Sequence, residues 1–231
     1  MTLWIGVWLL MFSDMVLPEP VKAPVALPET AVISTPVNTI PKGLLEQAPE
    51  DISLNKALEH AWSGYSSIRN QRPLSEILVI IDFTKPSDEK RFYVFDLKQE
   101  RLLYHTLVAH GRNSGLKHAT KFSNQPNSHC SSLGFLVTAE TYYGKHGLSL
   151  KLDGLEKNIN HHARDRAVVI HSASYANQDF VDRHGRLGRS YGCPTLPEKD
   201  YSEIVNTIKE GALIFSYYPD KQYFNSSDLM F

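Results

Sequence analysis

A cysteine inside a glycine turn and a histidine at a strand end are the two residues of this chain best suited to covalent chemistry. Cys193 follows Ser190, Tyr191 and Gly192 and precedes Pro194. The chain must turn there, which leaves little bulk in front of the sulfur and lets successive backbone N–H groups converge on one point. Such N–H groups suit an oxyanion. A thiolate attacks carbonyls, but a free thiol with a pKa of about 8.5 is only slightly ionised near neutrality, so a neighbouring base has to take its proton. His171 ends the apolar run Ala167-Val168-Val169-Ile170, which reads as a buried strand delivering its last side chain to a sheet rim. A Cys193–His171 dyad follows if the loop between them folds back, with Gly192 and Cys193 N–H groups as oxyanion donors and Ser190 either supporting the turn or contacting substrate.

The elements that must position this pair are mostly strands. Segments 77–83, 91–97 and 102–109 alternate or run apolar between polar turns and predict consecutive hairpin strands. Further strands are expected at 134–138, 148–152, 167–171 and 212–218, with a helix from about 198 to 209 before the last. Leu54, Ala57, Leu58, Ala61, Trp62, Tyr65 and Ile68 fall at helical spacing behind Ser53 as a plausible cap, so a helix over 53–69 should pack on the domain. The expected fold is mainly β, sandwich- or barrel-like, with a few peripheral helices.

Other side chains qualify as substrate contacts, each with a plainer alternative. His110 closes the third strand beside Gly111, as a cleft residue or as part of a turn. His146 stands in the glycine-punctuated loop 144–147, where a peptide could approach closely or two strands simply connect. Arg186 and Arg189 precede the cysteine turn and could fork onto a carboxylate or remain solvated, with Tyr191 beside them. His161-His162, in the polar run NINHHARDR, reads as surface loop.

The segment His171…Ser190-Tyr191-Gly192-Cys193-Pro194 resembles the L,D-transpeptidase catalytic domain (YkuD-like), in the branch whose active-site turn reads Ser-x-Gly-Cys-Pro. The likeness continues through HGRNSG (110–115), KFSN (121–124), SSLGF (131–135) and YYGKHGLSLKLDGLE (142–156), and so covers most of residues 75–218. Two positions depart from the wider family: Tyr191 replaces a histidine, and Pro194-Thr195 stand where an arginine is common. A carboxylate-binding role cannot be carried over from that arginine. The resemblance implies a cysteine acyltransferase acting on peptidoglycan stem peptides: Cys193 attacks the carbonyl of the diamino acid, D-alanine leaves, and an amine takes the acyl group. With water as acceptor the same chemistry is an L,D-carboxypeptidase or wall-peptide hydrolase. No metal or organic cofactor is implied.

Composition fits one such domain plus an extension. The 231 residues are 42% hydrophobic and 21% charged, and 24 basic against 25 acidic residues give a net charge of −1, so no overall field favours nucleic acid. Residues 3–12 form an apolar run too short to span a bilayer as a helix and read as an export signal or membrane tether within 1–16. Seven prolines between 17 and 49 mark a linker over 17–52. The amphipathic helix (53–72) and the catalytic domain (73–231) follow. A periplasmic or cell-envelope monomer is the expectation. Cys130 and Cys193 are too few for a disulfide framework, and one bridge between them would disable the nucleophile. The ten histidines raise a zinc peptidase as a rival, but no His-Glu-x-x-His or Cys-x-x-Cys is present. An inactive wall-binding module would be expected to lack one of the pair.

Overall fold

The structure, a computed structural model, describes residues 39–230. The apolar run and most of the proline-rich stretch lie outside the described residues. An eight-stranded sheet dominates, in the order β3-β2-β1-β8-β4-β5-β6-β7. The strands are β1 Ile77–Asp82, β2 Phe92–Asp96, β3 Arg101–Thr106, β4 Gly134–Gly144, β5 Gly147–Gly154, β6 Val169–Ser172, β7 Thr195–Leu196 and β8 Leu213–Tyr217. Helices are α1 Lys42–Gln47, α2 Ile52–Ile68, α3 Gln178–His184, α4 Tyr201–Ile208 and α5 Lys221–Ser226. This is the mainly β architecture with peripheral helices expected from the alternation of apolar segments.

The near-continuous apolar run of β1 follows from its place between β2, antiparallel, and β8, parallel. A strand flanked on both edges and covered on its faces has no solvent side, so alternation gives way to burial throughout. Helix α2 buries Leu54, Ala57, Leu58, Ala61, Tyr65 and Ile68 along one stripe. A Cβ on Gly64 would lie 2.1 Å from Cζ of Phe135, so glycine is what allows the helix to settle on β4. The cap is Asp51 rather than Ser53: its carboxylate accepts from the N–H groups of Ser53 and Leu54, while the Ser53 hydroxyl lies 2.6 Å from carboxylate oxygens of both Asp51 and Asp82 and can donate to either. Helix α1 falls within the stretch read as linker and buries Leu44. Helix α3 occupies the connection between β6 and the cysteine turn, where no helix was expected, because none of its residues is buried and it leaves no apolar period.

Strands β3 and β7 are the outer strands, yet the sheet nearly closes. Past β3 the chain reaches Ala109, whose N–H donates to Thr195 O at 2.8 Å and whose carbonyl accepts from Thr195 N at 3.3 Å. A second bridge joins Gly111 to Ser190. This barrel-like closure brings segment 109–115 against the cysteine turn. On the other side, the Tyr201 hydroxyl of α4 lies 2.9 Å from Leu148 O and 3.0 Å from Ile170 O, bracing β5 against β6.

Candidate active site

Strand β6 pairs antiparallel with β5 and parallel with β7, which puts His171 beside Thr195. The two side chains meet, with Thr195 Oγ1 3.1 Å from His171 Nε2. Nδ1 of the same ring is 3.1 Å from Ser172 O. A carbonyl only accepts, so Nδ1 carries the proton and Nε2 presents its lone pair. Thr195 Oγ1 is also 3.1 Å from the Tyr175 hydroxyl and 3.3 Å from Cys193 O. That hydroxyl can donate either to Nε2 or to the Cys193 carbonyl while accepting from Tyr175. Burial, followed by the charges of His146 and Lys145, pushes the His171 pKa down, with the Ser172 bond opposing. The imidazole is therefore held neutral.

Cys193 sits two residues before Thr195. Its thiol is turned toward Ala167 O, 3.7 Å away, and no hydrogen bond joins it to His171 among the described residues. Burial raises the thiol pKa, against the Val169 N–H and the Arg166 guanidinium, which lower it. The pair therefore rests as thiol and neutral imidazole. Cys193 and Cys130 are both free.

The turn is stapled by Ser190, whose hydroxyl donates to Cys193 O at 2.6 Å and accepts from Gly192 N at 3.1 Å. The Gly192 N–H, expected as an oxyanion donor, is thus taken in this state, whereas the Cys193 N–H has no partner among the described residues. Gly192 has φ 122°, and a Cβ there would meet Cys130 O at 2.8 Å. Both facts demand glycine beside Cys193.

Arg166 lies beneath the turn. Nη1 donates to Ser123 O and Ser132 Oγ, and Nη2 to Ser128 Oγ and Cys130 O. None of these acceptors is a carboxylate, so the half-buried positive charge stays uncompensated and acts on the nearby thiol. The strand-end reading of 167–171 gave no hint of it, because the stretch before it looked like surface loop.

The remaining expected contacts separate into two groups. His146, at the tip of the β4–β5 hairpin, stacks on His171 with ring centroids 4.6 Å apart. Arg186, Arg189 and Tyr191 line one open cleft of about 420 Å³ together with Arg112 and Asn113. His110 does not join them. It is 0% exposed, with Nδ1 2.8 Å from Arg91 Nη2 and Nε2 3.3 Å from Gly115 O, so its ring offers no face to a ligand. The closure of the sheet between Ala109 and Thr195 encloses it, and burial with Arg91 lowers its pKa to about 3. His161 and His162 pack on each other away from these contacts, and His162 pairs with Asp165. Among the described residues, no three His, Cys, Asp or Glu side chains gather as a metal site.

A second opening of about 270 Å³ is lined in part by Ala167, whose carbonyl the thiol faces, and by Val168, Val169, Tyr142 and Arg164. The arrangement provides an oriented neutral base, a thiol in a tight turn, an unpaired N–H and a nearby fixed positive charge. Those are the parts of acyl transfer through a thioester.

Comparison with curated proteins finds no significant match. Among solved structures, an L,D-transpeptidase from Mycobacterium smegmatis is 14% identical, covering 62% of this chain and 59% of its own, at a TM-score of 0.40. A Bdellovibrio bacteriovorus protein, Bd1075, is 12% identical over 62% of this chain and 48% of its own, at 0.37. An L,D-transpeptidase from Xylanimonas cellulosilytica is 14% identical over 63% and 62%, at 0.35. This chain thus spans less than two thirds of each. The sequence profile of a protein family matches residues 50–217, a range that includes His171, Cys193 and every residue of the arginine-lined cleft: the chain belongs to the L,D-transpeptidase catalytic domain family.

Proposed function

We propose that the protein is a peptidoglycan L,D-transpeptidase that works through Cys193 and His171. The observation that carries this reading is the neutral imidazole of His171, fixed at both nitrogens one strand from the cysteine turn. A thiol cannot lose its proton to a base whose lone pair is not presented, and here Nε2 presents one.

Rotation of the thiol toward Nε2 starts the reaction. The Thr195 hydroxyl swings its proton to Cys193 O, His171 takes the thiol proton, and the sulfur attacks the carbonyl of the diamino acid in a tetrapeptide stem. Thr195 Oγ1 then accepts from the imidazolium. The Cys193 N–H holds the oxyanion, aided by the Arg166 charge; Gly192 N–H contributes once released from Ser190. Collapse of the intermediate breaks the peptide bond, and His171 returns the proton to the leaving D-alanine amine. The thioester then passes to an amine of a neighbouring stem, which gives a cross-link, or to water, which gives a tripeptide. Arg186, Arg189 and Tyr191 face the stem peptide, and the His146 hairpin covers the base. The chemistry calls for no cofactor. Export to the cell envelope, with residues 3–12 as signal or tether, and a monomeric state complete the proposal.

The test incubates disaccharide tetrapeptides with the protein and with its Cys193→Ala form, followed by mass spectrometry. Dimers joined through two diamino acids support the transpeptidase. Tripeptide plus free D-alanine indicates a carboxypeptidase, and equal product from the Cys193→Ala form removes the cysteine mechanism.

A further inference from the structure

The cleft beside Tyr191 concentrates positive charge in a way the reaction itself does not need. Arg112, Arg186 and Arg189 all line it, and none of the three takes part in an ion pair among the described residues. Each guanidinium is held by neutral groups instead. Arg112 lies over the Tyr191 ring, 5.4 Å from its centroid. Arg189 Nη1 donates to Arg112 O and Gly115 O at 3.1 and 3.2 Å. Arg186 Nη1 donates to Leu187 O at 2.7 Å. Each keeps further N–H donors without a partner among the described residues. Three like charges gathered in one cleft repel one another, and an anion that bridges them relieves that repulsion. Guanidinium forks match the planar, bidentate geometry of carboxylates.

We propose that this cleft is a subsite for a ligand bearing at least two free carboxylates, and that it makes the enzyme select donor stems whose acidic groups are not amidated. One carboxylate would leave two of the three charges unmatched, and two leave one. A stem ending in meso-diaminopimelate and D-alanine carries one carboxylate at the far end of the diamino acid and another at its terminus. The assignment to a stem peptide rests on the proposed function; the demand for a dianion rests on the cleft alone. Arg112 thereby joins Arg186 and Arg189 as a specificity residue, supplied by the loop after β3 rather than by the cysteine turn.

The experiment separates the two claims. Binding is measured by calorimetry on full-chain Cys193→Ala protein with a diaminopimelate tetrapeptide and with the same peptide amidated at the diaminopimelate carboxyl. The free acid should bind about tenfold or more tightly, as expected when a charge-assisted bond is lost, and the preference should vanish in Arg112→Gln and Arg186→Gln backgrounds. Turnover by the wild-type protein is followed separately. Equal binding of acid and amide overturns the subsite whatever the turnover. Selective binding without turnover of either peptide sustains the subsite and overturns the transpeptidase reading. Selective binding that persists unchanged in both arginine variants overturns the assignment to these residues.

Discussion

Cys193 and His171 start as a neutral pair, and this has a direct kinetic signature. Burial raises the thiol pKa and lowers that of the imidazole, so iodoacetamide should alkylate Cys193 along a pH curve with its midpoint above that of a free thiol. A reactive plateau below pH 6 would instead reveal a thiolate–imidazolium pair. Thr195 makes the second test. Replacing it with Val removes the group that meets His171 Nε2, and kcat should fall about 10- to 100-fold, the loss of a bond to a charged group, with KM little changed. Thr195→Ser should restore most of the rate, because only the hydroxyl is required. Elsewhere, His110 should contribute to acid sensitivity. Its pKa is about 3 in the fold against about 6.5 in an unfolded chain. The unfolded state binds the extra proton between these values, so the contribution of His110 to stability is full above pH 6.5 and falls as pH drops toward 3. By pH 4.5 the loss should be about 2–3 kcal/mol in urea unfolding, and His110→Asn should flatten that slope. At this scale the cysteine and histidine were legible because their signals are local, a glycine turn and a strand end. Arg166, Thr195 and Arg112 were not, since each gains its role from a neighbour brought close only by strand pairing or by loop packing.

Two elements control access to the chemistry. The β4–β5 hairpin lays His146 over His171, where it adds to the burial that holds the imidazole's pKa down. His146→Ala uncovers the ring and so relieves the burial that lowers the His171 pKa; the acid limb of kcat/KM should therefore move to higher pH. An unmoved limb would mean that the stack is incidental. The cysteine turn is stricter. Gly192→Ala must place a Cβ 2.8 Å from Cys130 O at φ 122°, so alkylation and turnover should both collapse while far-UV dichroism is retained. Sequence periodicity located most strands within a few residues, because their apolar runs are long. It placed the α2 cap two residues late, since Ser53 and Asp51 are both capping types and only the fold shows which carboxylate meets the free N–H groups. It gave no sign of α3, which buries no residue, or of α5, which buries only Tyr223.

For the whole molecule, the candidate site depends on closure. The bridges from Ala109 to Thr195 and from Gly111 to Ser190 join the first three strands to the last part of the site, and without them the arginine of the β3 loop would not face the arginines of the cysteine turn. The overall class could be read from the sequence, but not this closure, because two single bridges between distant segments leave no pattern in either. The strand order has one more consequence. β8, last of the eight strands in sequence, lies between β1 and β4, so β3-β2-β1 and β4-β5-β6-β7 each present an open edge until it arrives. Cys193 precedes in the chain the strand that joins those two halves. The candidate cleft therefore depends on a strand near the end of the chain: without β8 paired to both β1 and β4, the two halves that carry it are not joined through the sheet.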